Sequence, residues 1–522
     1  MINNVIENLT DRVRMALLQE ASIVGKMRYF FLDRHYSLTI RVLLVLLCMG
    51  VTLTSTFLLR ESSLTGNFIK GLIPVVAMIG IAVVLFVYSN FELTAVMIFI
   101  VTLTVADGVG TGTGTKITLT FMGLNLWAAL WLFKLVIVDR KIAVRPSVSN
   151  VPTMIFLAIV LISFIWSNIF VDVPVSYIFQ EKFFQRTMTM VSLVIAPITA
   201  IMYANHIRSI RTIKIMVYYM IFCGFVFGAM RIAMGYVINP LNIKGLFPMW
   251  VGALALGQLL FNTNLKWYIR VAMAAVVGMW YYIQLGLGLS WLSGWIPLSI
   301  VIVIIVTIYS RKLLLVAILV AAAYVLINLS SLQENFARED EESGGTRNAA
   351  WSEALAHADD HLFLGSGPAG YYFYYTIYGF RANLSHNNYI DIIAQTGLVG
   401  FTAYILMWLA FGRMNLRMYW LVPNDNGFLH GLKISLIACW VATMVAMMLG
   451  DWVTPFPYTQ GLNGIDYAIW AWIFQGMAVA LCHLMQRQAT VDQLPEIGPK
   501  RFDIRLPSLA SGRRQSTQPA SD

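Results

Sequence analysis

Residues 385–411 read SHNNYIDIIAQTGLVGFTAYILMWLAF. Four polar residues run straight into an apolar stretch long enough to cross a bilayer, which takes roughly 20 residues in a helix. Ser385, His386, Asn387 and Asn388 therefore fall where a membrane helix meets water. Just upstream, residues 330–387 form the only long polar interval inside an otherwise apolar chain. This junction decides the fold reading: an apolar scaffold presents one polar loop at a membrane surface.

The remainder of the 522 residues agrees. Hydrophobic residues make up 58% and charged residues 12%, against roughly 25% charged in soluble proteins. Apolar runs fall at about 38–59, 71–89, 91–106, 118–138, 152–171, 187–203, 213–238, 245–261, 267–287, 289–309, 313–329, 388–411, 430–449 and 462–485. The expected architecture is all-α, a polytopic bundle of about 14 transmembrane helices with one large polar loop between spans 11 and 12. The count is most sensitive at the short 91–106 run and the crowded 267–309 region. The division is then a cytoplasmic amphipathic segment at 1–37, spans 1–11 over 38–329, and the loop at 330–387. Spans 12–14 cover 388–485, and a disordered cytoplasmic tail covers 486–522. In residues 1–37, Val5, Ile6, Leu9, Val13 and Leu17 recur at helical spacing, which suits a helix lying on a leaflet. The same segment is too charged, and lacks the apolar core, for a cleavable signal. All four cysteines lie in apolar runs, so no disulfide framework is expected.

Charge orients the bundle. With the N-terminus in the cytoplasm, only ten of the 36 Lys and Arg fall on outer loops; the rest fall inside, as the positive-inside rule requires. The same rule accounts for the net charge of +10 without nucleic acid. The loop 330–387 then faces outward, with eight acids and three arginines.

Within that loop, Thr346 is a candidate N-cap for a helix through Leu355, with Arg347, Trp351 and Leu355 on one face. Gly365-Ser366-Gly367-Pro368 reads as a turn; the Gly-x-Gly is weak as a phosphate cradle. The aromatic cluster from Tyr371 to Phe380 suits an interfacial belt or stacking on sugar rings. His386 can titrate near neutrality and move a proton, although an interfacial histidine is often structural. His357 and His361 stand i, i+4, but two histidines make a weak metal site without a third ligand.

His386-Asn387, nine residues, then Gly397-Leu398-Val399-Gly400 resembles the signature of the bacterial O-antigen ligase and O-antigen polymerase (Wzy-type) superfamily. Every fixed position matches, and Arg347, Trp351 and Gly365-Ser366-Gly367 resemble the family's loop. The resemblance implies a metal-independent membrane glycosyltransferase with no cofactor. Its donor would be an undecaprenyl-diphosphate-linked glycan, and its setting the bacterial inner membrane, with both termini cytoplasmic and the active site periplasmic. His386 would activate the acceptor hydroxyl and Arg347 would bind the diphosphate. One departure stands out: where the family carries a Ser-Arg-Gly-like step, residues 289–295 read LSWLSGW, without arginine. Arg231 is the candidate replacement, since a charge near a span end needs a reason; Arg186 and Arg381 are alternatives, and snorkelling explains any of the three. Asn387 is expected to orient the imidazole or the sugar, Asp391 to stand behind the histidine, and Trp351 to line the substrate site. The outward loop from Asp451 to Tyr458 is a candidate acceptor groove.

The favoured function is a polysaccharide polymerase that moves lipid-linked repeat units onto a growing exopolysaccharide or O-antigen. A ligase acting on lipid A-core is the alternative, and a non-enzymatic lipid or glycan transporter a third class. Expected partners are the lipid-linked donor, a glycan acceptor, membrane lipid and a possible chain-length regulator.

Overall fold

The computed structural model describes residues 91–492, except 106–107, 111–115, 141–142, 235–244, 287–291, 328, 331–332, 335–344, 379–384 and 458–460. The expected amphipathic segment at 1–37, the runs at 38–59 and 71–89, the tail beyond 492 and Arg381 lie outside the described residues.

Twelve of the fourteen apolar runs fall on helices: α1 (Phe91–Thr104), α2 (Leu119–Phe133), α3 (Asn150–Ile169), α4 (Val173–Glu181), α5 (Phe183–His206), α6 (Ile210–Met234), α7 (Phe247–Phe261), α8 (Trp267–Tyr281), α9 (Leu292–Tyr309), α10 (Arg311–Ile327), α11 (Gly345–Asp360), α12 (Gly370–Tyr378), α13 (Asn388–Leu421), α14 (Phe428–Leu449) and α15 (Gly464–Asp492). The three short extras, α4, α11 and α12, fall in polar or interfacial sequence. Among the described residues, nine helices are long and apolar enough to cross a membrane. α1 and α7, with 14 and 15 residues, fall short of a full span, so the expected fourteen is not reached on described residues. The sequence also holds a small exception to all-α: β1 (Gly108–Gly110) pairs antiparallel with β2 (Lys116–Thr118), Val109 opposite Ile117.

The core centres on α7 and α15. Every residue of α7 from Phe247 to Gln258 is buried, and in α15 Ile469 to Ala478 is nearly all inaccessible, including Trp470, Trp472 and Phe474. Lipid tails are as apolar as leucine, so membrane helices associate through close packing of small residues. That is how α7 meets α14: a Cβ on Gly257 would stand 2.6 Å from the Gly431 carbonyl oxygen, and Ser435 Oγ donates to the Ala253 carbonyl at 2.7 Å. At the periphery, Leu319, Leu326 and Ile327 of α10 are more than half exposed, as suits side chains that meet acyl chains.

Helix ends sort into two faces. At one, Arg145 donates to the last carbonyls of α5, His483 of α15 contacts the Pro146 carbonyl, and the α7–α8 turn bonds the α13–α14 turn through Thr263 N and Asn426 O. At the other stand the starts of α2, α13 and α15 and the ends of α3 and α14. Thr118 Oγ1 donates to Asp466, and Asn388 bonds the loop after α14. The second face is the one that carries residues 345–378 and 385–387.

Candidate active site

The site starts from a break in a membrane helix. α13 is interrupted at Gly397, whose φ of 66° and ψ of −171° suit only glycine. Inside a bilayer, a broken helix exposes carbonyls that water cannot satisfy. Here the Gly365-Ser366-Gly367 turn satisfies them. Ser366 N donates to Ala394 O at 3.0 Å and Gly367 N to Gln395 O at 2.9 Å, while Leu398 N donates to Leu362 O at 2.7 Å. Ser163 of α3 adds its hydroxyl to both Leu364 O and Gln395 O. The two backbones touch. A Cβ on Gly397 would lie 2.3 Å from Phe363 C, and one on Gly365 2.4 Å from Gln395 C. The amides of this turn are therefore spoken for: Gly365 N bonds His361 O, and Ala369 N bonds Gln395 Oε1. The turn braces a helix break, and its N–H groups do not form a phosphate cradle.

The break leaves a short helical piece, 388–396, about 13 Å long at helical rise. Its start is shaped by three consecutive residues. Asn387 is the N-cap, with Oδ1 accepting from Tyr389 N at 3.0 Å and Ile390 N at 3.4 Å. Asn388 is buried and clamps the loop after α14. Its Nδ2 donates to Thr454 O at 2.8 Å, and its Oδ1 accepts from Val453 N and Thr454 N at 3.3 Å each. His386, just before the cap, has φ of 47°, a left-handed conformation that costs an L-residue about 1–2 kcal/mol. The imidazole is 40% exposed while Asp451, 3.5 Å away from Nδ1 at Oδ2, is 0% exposed. The half-open histidine thus faces a fully enclosed carboxylate. Asn387 caps the helix through Oδ1, and the group next to the imidazole is Asp451.

α11 and α12 pack around this start. Trp351 Nε1 donates to the Ser385 carbonyl at 2.6 Å, which ties α11 to the residue before His386. The buried face of α11 is Ala350, Ala354 and Ala358. Leu355, expected to share the packed face with Trp351, is 47% exposed; small alanines admit a closer approach to α13. α11 begins at Gly345, which puts Thr346 and Arg347 in its first turn. Asp391 is buried one turn into α13, accepting from the Tyr371 hydroxyl and from Ser385 Oγ at 2.7 Å. Tyr371, Phe373 and Tyr374 are buried, with Tyr374 edge-on to Phe179 of α4 at 5.6 Å. Phe373 and Tyr374 pack against α4, and Tyr371 packs against Ala354 of α11 and Ala394 of α13, in place of the expected sugar platform or interfacial belt. His361 meets the ring of Tyr374.

Of the expected arginines, Arg186 is fully buried. Its amino groups donate to Asn168 Oδ1 at 2.9 Å and Ser167 Oγ at 2.6 Å, and its guanidinium lies over Phe179 at 3.9 Å. Ser167 in turn fills the space a Cβ on Gly367 would need, so Arg186 supports the brace from beneath. Arg231 is half-buried in the last turn of α6. That turn belongs to the site face: Phe227 contacts Phe247 at the start of α7.

From the sequence Asp451 belongs to a candidate acceptor groove, and Ser385, Asn388 and Tyr371 carry no role of their own. Asn388 carries the only local signal, a second polar residue just inside an apolar run.

Residues 253–405 match the family model described as O-Antigen ligase. The match spans the helices leading to the loop, the loop itself and α13 through the break, and it supports the O-antigen ligase and polymerase superfamily for this region. No curated protein matches the chain.

Proposed function

We propose, from a central region that belongs with the O-antigen ligase and polymerase superfamily, that this chain is a polysaccharide polymerase. It moves undecaprenyl-diphosphate-linked repeat units onto a growing exopolysaccharide or O-antigen at the periplasmic face of the inner membrane. The observation that carries the reading is His386: half-open at the start of a membrane helix, beside a buried carboxylate, within the matched region. The basic residues of the opposite face, among them Arg145, Arg208, Lys214 and Lys433, support a cytoplasmic assignment for that face.

The chemistry asks for a base and for cations. The acceptor hydroxyl oxygen attacks the sugar C1, its proton passes to His386, and the C1–O bond to the diphosphate breaks with the electron pair leaving on phosphate oxygen. A base within about 2.6–3.2 Å of the hydroxyl serves the first need. Guanidinium groups that meet the growing negative charge serve the second. Arg347 in the first turn of α11 is the leading candidate, and Arg231 and Arg381 are the further candidates. For Arg186 the same role requires Phe179 to leave its guanidinium. Trp351, Asn387 and Asp391 support the site through the structure around His386. The step needs no metal, and transfer undiminished by chelator would bear this out.

The description of the matched family favours a second reading, a ligase that moves a finished glycan to lipid A-core. Loss of a polymerase leaves single repeats, whereas loss of a ligase leaves long chains on the lipid carrier. The deciding experiment is purified protein in detergent with a lipid-linked repeat unit. Elongation that disappears in His386→Ala supports the polymerase. A His386→Ala protein that inserts normally and transfers at full rate removes the histidine from the mechanism, and binding or transport without transfer would point to the transporter class.

A further inference from the structure

His386 and Asp451 lie 65 positions apart in sequence, yet the structure builds a dedicated arrangement to bring them together. The loop that holds Asp451 follows α14, and three hydrogen bonds with Asn388, one donated by it and two accepted, fix it against the start of α13. Trp472 Nε1 donates to Val453 O at 2.7 Å, and Tyr404 meets Thr454 Oγ1 at 2.8 Å. Every residue of this loop from Val453 to Phe456 is buried. A buried carboxylate is costly unless hydrogen-bonded or paired, so its position beside a histidine calls for a reason. Behind it stands Asp391, close enough to interact with it, and Asp391 receives the hydroxyls of Tyr371 and Ser385. Ser385 also accepts from Asn387 N at 3.2 Å. The carboxylates and the histidine backbone are thus held by one hydrogen-bonded group.

We infer that Asp451 is a positioning residue for His386: it holds the Nδ1–H tautomer, so that the Nε2 lone pair faces the acceptor hydroxyl. A neutral imidazole carries its proton on one ring nitrogen only, and a partner at that nitrogen fixes which one remains basic. When Nε2 takes the acceptor proton, the ring becomes a cation, and the carboxylate at Nδ1 stabilises it from the side that is shielded from water. The 3.5 Å separation tightens on acceptor binding, as catalytic hydrogen bonds do between the free and substrate-bound states. Asn388 is the second part of the device, since it sets the loop rather than touching the imidazole.

The inference rests on His386 as the base, and a double-mutant cycle separates the two claims. Transfer by purified protein is measured for His386→Ala, Asp451→Asn and the double variant, with donor and acceptor KM determined for each. Asp451→Asn is expected to lower kcat by about 100-fold or more, as removal of a base's partner does, with both KM values changed less than about threefold. The double variant is expected to be no slower than His386→Ala alone, because residues that act as a unit are not additive. Multiplying losses would show that Asp451 acts elsewhere and would overturn the inference. Full activity in Asp451→Asn beside an inactive His386→Ala would also overturn it and leave the base assignment standing; full activity in His386→Ala would remove both. Should Asp451→Asn fail to fold, Asn388→Ala frees the loop without altering the carboxylate. It is expected to lower kcat about tenfold in the wild-type background and not at all in His386→Ala; an equal loss in both would overturn the inference.

Discussion

The two faces of the bundle treat buried polar groups differently. At the face opposite the site, charged side chains are used up by backbone. Lys433 is buried and its Nζ reaches Val422 O and Asn424 Oδ1 at 2.6 Å each, while Arg145 reaches Ala204 O and Ile207 O at 2.8 Å. Both close helix C-termini, where carbonyls lack partners and cations are favoured. Glu92 does the converse at the start of α6, accepting from Arg208 N, Ser209 N and Thr212 Oγ1. At the site face, backbone satisfies backbone at the Gly397 crossing, and a side chain is left partly open: His386 beside the enclosed Asp451. A polar group fully matched to helix ends is architecture. One held in a strained conformation, half-open, with a buried partner, is available for chemistry.

Substitutions at the two faces should therefore separate turnover from stability. The largest effect is expected at His386→Ala, a fall of about 10³-fold in transfer rate with the melting temperature in detergent almost unchanged; a parallel loss of both would merge the two faces. Next is Gly397→Ala, which sets a methyl 2.3 Å from Phe363 C in a glycine-only conformation. About 3 kcal/mol or more of stability should be lost, read as early thermal unfolding and faster proteolysis, and Gly365→Ala should behave alike. Lys433→Met, at the opposite face, strands helix-end acceptors and should cost about 2 kcal/mol, with turnover per folded molecule kept. Trp351→Phe removes one hydrogen bond to Ser385 and should cost about 1 kcal/mol, with kcat lowered more than donor KM. The smallest effect is in stability for His386→Gly: relief of the positive φ should raise it by up to about 1 kcal/mol while transfer stays abolished. Retained transfer in that variant would break the contrast.

The helices were legible because twenty apolar residues in a row have few alternatives. Twelve runs appear as helices, with ends within about seven residues of the expected ones except at α13, which runs ten residues past 411. Composition did not reveal the break in α13. Gly397 sits in an unbroken apolar run, and its role depends on a turn thirty residues earlier that supplies the missing donors. The same limit hid Asp451, since nothing in residues 449–458 names His386 as its neighbour. An amide beside a histidine suggests a partner for the ring, while the place of Asn387 before a helix also makes its Oδ1 a cap. The Tyr371–Tyr374 aromatics misled because interfacial composition does not distinguish a surface from a tightly packed loop.

The crossing of two glycine-bearing segments also bears on what the motif can report. Three of its four marks, the asparagine cap, the glycine at the break and Gly400 against Ile159 of α3, are demands of shape. A descendant chain that had lost its imidazole would still need all three in order to assemble. Recognition by pattern therefore certifies the scaffold, and an inert homologue could pass it on every mark except one.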